Sequence, residues 1–138
     1  MPVAPLSKPV LALVALYAVA SLAHFAHNAE YIAFYPGMPG WLNPGKVYVA
    51  WLGVTLVGVA SLVLGCSGFA ASALVALGVY GALGLDGLGH YTLALCSEHT
   101  LVSNLTIWAE AVSGLVLLFT ASILLGRRLR PEARPRHG

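Results

Sequence analysis

The 138-residue chain is 59% hydrophobic and only 9% charged, too little polar surface for a soluble domain of its size to show to water. A mean hydropathy of +0.83 and apolar runs of about 20 residues, the length that crosses roughly 30 Å of hydrocarbon, argue equally against a buried soluble subunit. The formal net charge of +2 is local: five of the seven basic residues, Arg127, Arg128, Arg130, Arg134 and Arg136, lie in the last twelve positions without the aromatic or Gly-rich pattern of nucleic-acid binding.

In chain order, the first helix is predicted from Pro9, which suits a first helical turn, to about Phe34. One Lys ahead of an apolar run resembles a signal peptide, but the run continues to about Tyr31 and reads as an uncleaved transmembrane helix. The breaker-rich segment from Tyr35 to Gly45 follows as an external loop, with Tyr31, Tyr35 and Trp41 suited to the aromatic belt at a membrane surface. A second helix over Val47–Leu64 and a third over Phe69–Leu88 are joined by the short link Gly65-Cys66-Ser67-Gly68, which forces an antiparallel hairpin. A fourth helix runs over Leu101–Leu125.

The fold class is therefore all-α: an antiparallel four-helix transmembrane bundle forming one domain over 1–126, followed by a basic cytoplasmic tail over 127–138. With Lys46 the single basic residue on the opposite side, charge bias places both chain ends in the cytoplasm of a cell's inner or plasma membrane, and both longer loops outside. Cys66 and Cys96 then lie on opposite sides of the bilayer and cannot bridge within one chain; Cys96 is left as a free thiol, a metal ligand or an intermolecular disulfide. Gly78, Gly81, Gly84 and Gly87 form a ridge on the third helix, suited to close helix packing or to association with a second copy or another membrane protein.

Ionisable residues inside a membrane are costly and mark function. Nearly all of them fall toward the external side: His24, His27, Asn28 and Glu30 on the first helix, Asp86 and His90 on the third, Glu98 and His99 in the next loop, Asn104 and Glu110 on the fourth. At about 100° per residue, His24, His27, Asn28, Tyr31 and Tyr35 share one stripe with Tyr17 below, and Asp86 shares a face with His90. Ser103, Thr106, Glu110 and Ser113 make a stripe on the fourth helix, and Tyr48, Trp51 and Thr55 one on the second.

If the stripes converge, His24, His27, Asp86, His90 and His99 are candidate ligands for copper, zinc or iron, and a haem between facing histidines is a variant. Asn28, Tyr31 and Asn104 are candidates to orient the imidazoles or contact a cofactor. Glu110 lies about 15 Å into its helix, where a cation must compensate it or a proton must stay on it; it is the candidate catalytic acid or base. Three functions follow: a membrane metalloprotein or metalloenzyme, a metal-free enzyme performing acid–base chemistry on a lipid-like substrate, or a non-catalytic assembly subunit. The bland alternative is a wet vestibule of histidines with Glu110 as a helix-helix hydrogen bond. No nucleotide motif is present, because the glycine run lies within a helix and follows no strand.

Overall fold

A computed structural model describes residues 7–130. Its regular structure is all-helical: α1 (Lys8–Glu30), α2 (Pro44–Cys66), α3 (Ala70–Leu83), α4, a single turn (His90–Leu93), and α5 (Leu101–Leu129). Short 3₁₀ turns cover Ile32–Phe34, Asp86–Gly89 and Cys96–Glu98. Four spans, Lys8–Glu30, Pro44–Cys66, Ala70–Leu93 and Leu101–Leu129, are long and apolar enough to cross a membrane. α1 packs on α2 and α5, and α3 packs on α2 and α5, which closes the four-helix bundle.

Several boundaries differ from the sequence reading, each for a local reason. α2 starts three residues early because Asn43 caps it: its side-chain oxygen accepts the Lys46 N–H at 3.0 Å, and Pro44 occupies the first turn, where its missing N–H costs nothing. α5 is capped the same way by Thr100, whose hydroxyl accepts the Ser103 N–H at 3.1 Å. It runs on to Leu129, so Arg127 and Arg128 sit in its last turn, where cations oppose the helix dipole. Arg134 and Arg136 lie outside the described residues. The α2–α3 hairpin turns at Gly68, whose φ of +87° a side-chain-bearing residue rarely adopts.

The largest departure is in the third span. Gly84, Gly87 and Gly89 weaken the α-helix, and after Leu83 the chain tightens into 3₁₀ geometry before regaining one α-turn at His90. Three residues per turn instead of 3.6 rotates neighbours four apart onto different faces. Asp86 is consequently exposed while His90 is buried, so the expected shared face does not form.

The two ends of the bundle are built differently. At the hairpin end, Val10, Val14, Tyr17, Leu77, Tyr80, Leu117 and Ala121 form an apolar cluster, with the Tyr17 and Tyr80 rings edge to face at 4.6 Å. α3 and α5 cross almost backbone to backbone: a Cβ on Gly81 would stand 2.6 Å from the Gly114 carbonyl oxygen, and one on Gly114 would stand 2.5 Å from that of Gly81. All four ridge glycines are buried against the chain's own helices. The loop end, between the two longer connections, gathers the polar residues.

Candidate functional site

α1 supplies one wall. Its buried residues Tyr17, Ser21, His24 and Asn28 recur at helical spacing and face α5 and the end of the third span. α5 supplies Ser103 and Glu110, both fully buried, and α4 with the following loop supplies His90 and His99. At the centre, His24 Nε2 lies 3.7 Å from Glu110 Oε2. Gly87 makes this approach possible, since a Cβ there would stand 3.3 Å from Glu110 Oε2 and 3.5 Å from His24 Nε2. Gly84 does the same one turn deeper, where a Cβ would meet Tyr17 at 2.7 Å and the Glu110 carbonyl at 3.1 Å.

From this pair the imidazoles lead toward the loops. The His24 and His90 rings stand edge to face at 5.4 Å, and those of His90 and His99 at 6.1 Å. Asn28 Nδ2 lies 3.2 Å from His90 Nε2, so in this orientation the amide donates and the ring nitrogen accepts. His99 Nδ1 lies 3.0 Å from the Leu95 carbonyl, an acceptor only, which places the His99 proton on Nδ1 and a lone pair on Nε2.

Tyr35 closes the cluster from above. It is buried, its ring is 5.0 Å from that of His90 and 6.2 Å from that of His99, and its hydroxyl is 2.8 Å from His27 Nδ1. Burial pushes the Tyr35 phenol above its ordinary pKa, so it remains a neutral hydroxyl. Its loop is held down at Gly37, whose φ is +74° and where a Cβ would stand 3.0 Å from the Leu93 carbonyl.

The sequence-derived candidates thus separate. His24, Asn28, His90, His99 and Glu110 come together. His27 is only half-buried and turns to Tyr35 and to the exposed Tyr31, 4.8 Å ring to ring. Asp86 faces outward. Asn104 orients no imidazole: its side-chain oxygen accepts the Tyr91 hydroxyl at 2.8 Å, and its NH₂ donates to the Cys96 carbonyl at 3.0 Å, clamping the loop. Cys66 and Cys96 are both free and exposed. α2 stays peripheral: Tyr48 bonds the exposed Glu30 at 2.8 Å, and Ser61 bonds its own helix.

One contributor, Ser21, was missed by the sequence reading; it lies four residues after Tyr17 and three before His24, so the helical stripe itself contained it. Tyr35 was read both on the histidine stripe and in an interfacial belt; it meets the histidines through the 3₁₀ turn at Ile32–Phe34, which folds it back over them.

Among the described residues, the buried side-chain atoms without a hydrogen-bond partner are Tyr17 Oη, Ser21 Oγ, His24 Nδ1, Asn28 Oδ1, His90 Nδ1, His99 Nε2 and both Glu110 carboxyl oxygens. All belong to this one cluster. Bare polar atoms are scarce in folded proteins and each costs about 1–3 kcal/mol, so eight together set this cluster apart from the rest of the bundle. No three His, Cys, Asp or Glu side chains among the described residues are grouped closely enough to hold a metal ion as they stand. Comparison with family models, curated proteins and solved structures finds no match for the chain.

Proposed function

We propose that this chain is an integral membrane protein whose loop end houses an acid–base centre, Glu110 with His24, that moves a proton on a small hydrophobic substrate. The observation that carries the reading is the buried pair itself. Glu110 and His24 face each other at 3.7 Å, and the nitrogen and oxygens they leave over have no partner within the protein. An ion pair is costly to keep dry, so the resting form we assign is neutral: a protonated carboxyl beside an imidazole. In that form Glu110 donates a proton to one atom of the substrate, while bare His24 Nδ1 removes one from another. The imidazolium then returns its Nε2 proton to the Glu110 carboxylate, which recharges the acid and leaves the His24 proton on Nδ1; exchange of that proton for one on Nε2 by way of water resets the ring. The net reaction is an isomerisation that needs no cofactor. The positive-inside bias, with Arg127 and Arg128 ending α5, supports an orientation with the hairpin end cytoplasmic and the site toward the outer face of an inner or plasma membrane.

The test compares the lipids of cells carrying the native chain with those carrying Glu110→Gln at equal expression. The reading expects at least one lipid isomer to depend on the native residue. Identical lipid profiles would sink it, and a stable complex with another membrane protein that survives the substitution would favour an assembly role.

A second reading, a copper, zinc or iron site at His24, His90 and His99 with Glu110, has one specific observation in its favour. His99 donates Nδ1–H to a backbone carbonyl and presents bare Nε2 to the buried interior, the posture of a metal-binding imidazole. It requires these side chains to draw inward from their present positions. Metal analysis of the purified protein decides it: stoichiometric metal that is lost on His99→Ala supports the site, and none after loading with each ion removes it.

A further inference from the structure

We infer that His99 and His90 form a proton route joining the Glu110–His24 pair to water at the loop end. The inference rests on the acid–base reading above and adds to it the path by which the pair exchanges protons with water and the His24 ring is reset. The geometry points to it through a property shared by two rings, His90 and His24, which each have a nitrogen on which a proton can arrive and another from which one can leave, and through a third ring, His99, which carries a proton to them on its bare Nε2.

His99 lies at the mouth. Its neighbours Leu95, Cys96, Ser97, Glu98 and Thr100 are all exposed, whereas its own ring is buried with Nε2 bare. A proton taken up at Nε2 is the acidic proton of a full imidazolium, because Nδ1–H is already committed to the Leu95 carbonyl. It passes, through a water, to His90 Nε2, the nitrogen that now accepts from Asn28. Asn28 can serve both states of His90: its NH₂ donates to the neutral ring, and on turning over, its bare Oδ1 accepts the new Nε2–H. His90 then releases the proton on Nδ1, which is bare of any partner, toward His24 Nδ1, also bare. His24 finally delivers its Nε2 proton across the 3.7 Å gap to Glu110 Oε2. One proton enters at His99 and one arrives on Glu110, with the His90 and His24 rings changing tautomer between. Buried chains of His and acidic residues carry protons in this way in membrane proteins.

The opposite end is closed. Beyond Glu110 the bundle is filled by Val10, Val14, Leu77, Leu117 and Ala121 around the Tyr17–Tyr80 pair. A rival exit exists through Tyr35 to half-buried His27, since Tyr35 touches His90 and bonds His27. The experiment must therefore separate the two.

The full chain is reconstituted in lipid and exposed to heavy water, and the carbonyl-stretch band of protonated Glu110, assigned by its loss in Glu110→Gln, is followed by infrared spectroscopy. The route predicts that His90→Phe and His99→Phe each slow the deuterium shift of this band by about tenfold or more, whereas His27→Phe leaves it unchanged. His90→Gln, which retains a polar group for Asn28 but cannot relay, guards against misfolding and should slow the shift equally. Equal rates in all variants would overturn the route and leave the acid–base pair standing, and slowing by His27→Phe alone would move the path to Tyr35. A native protein without the Glu110 band would overturn both the route and the reading beneath it.

Discussion

The two ends of this bundle solve opposite problems with the same helices. At the hairpin end, glycines bring backbones together: Gly81 and Gly114 leave no room for a single methyl group, and the surrounding core is apolar except for two tyrosine hydroxyls. At the loop end, glycines hold side chains apart from backbone: Gly84 and Gly87 make space in which Tyr17, His24 and Glu110 sit with bare polar atoms. The first use of glycine stabilises the bundle. The second leaves polar atoms bare, at a cost of about 1–3 kcal/mol each, and it is on these atoms that the proposed acid–base role rests.

That contrast can be broken at four points, with Gly53 as a control. The largest effect is expected from Gly81→Leu, whose side chain has nowhere to go; a loss of about 3 kcal/mol should appear as a collapse of thermal stability in detergent. Gly53→Leu, where a Cβ meets nothing within 4 Å, should leave the melting temperature unchanged, which isolates crowding from the loss of a glycine. Glu110→Leu is expected to raise stability by about 1–2 kcal/mol, because it removes two buried oxygens without partners, while abolishing proton chemistry. A destabilised Glu110→Leu bundle would mean that the carboxyl is structural. Tyr35→Phe removes the 2.8 Å contact to His27 and should cost about 1 kcal/mol in a denaturation measurement. Of the four, Gly87→Ala should move stability least, by about 0.5 kcal/mol or less, yet its methyl group intrudes between Glu110 and His24, so turnover should fall far more than the melting temperature.

How much of this was legible in the residues follows the same division. Helix number and the buried stripe of α1 depend on hydrophobic length and on a 100° period, and both are written locally. The pairing of Asp86 with His90 was misread because an ideal α-helix was extended through Gly84, Gly87 and Gly89; these glycines mark a weak helix locally, but where it tightens into 3₁₀ geometry goes with close packing on α5 and Tyr17, which the local pattern does not give. Asn104 looked like a partner for an imidazole because both lie at the same depth, but the loop folds so that Tyr91 and Cys96 reach it first. The peripheral place of α2 was hidden for a related reason. Its Tyr48-x-x-Trp51 stripe has helical spacing, but spacing alone does not say which of two faces meets the bundle.

The central claim is that the loop-end cluster is completed by something other than protein. A high-resolution structure of the full chain in a lipid nanodisc tests it most directly. The account predicts ordered density, water or ligand, within hydrogen-bond distance of His24 Nδ1, His90 Nδ1, His99 Nε2 and the Glu110 carboxyl. A dry cluster in which these atoms instead rotate to bond one another, with no density among them, would contradict it and return the histidines to the role of buried scaffold.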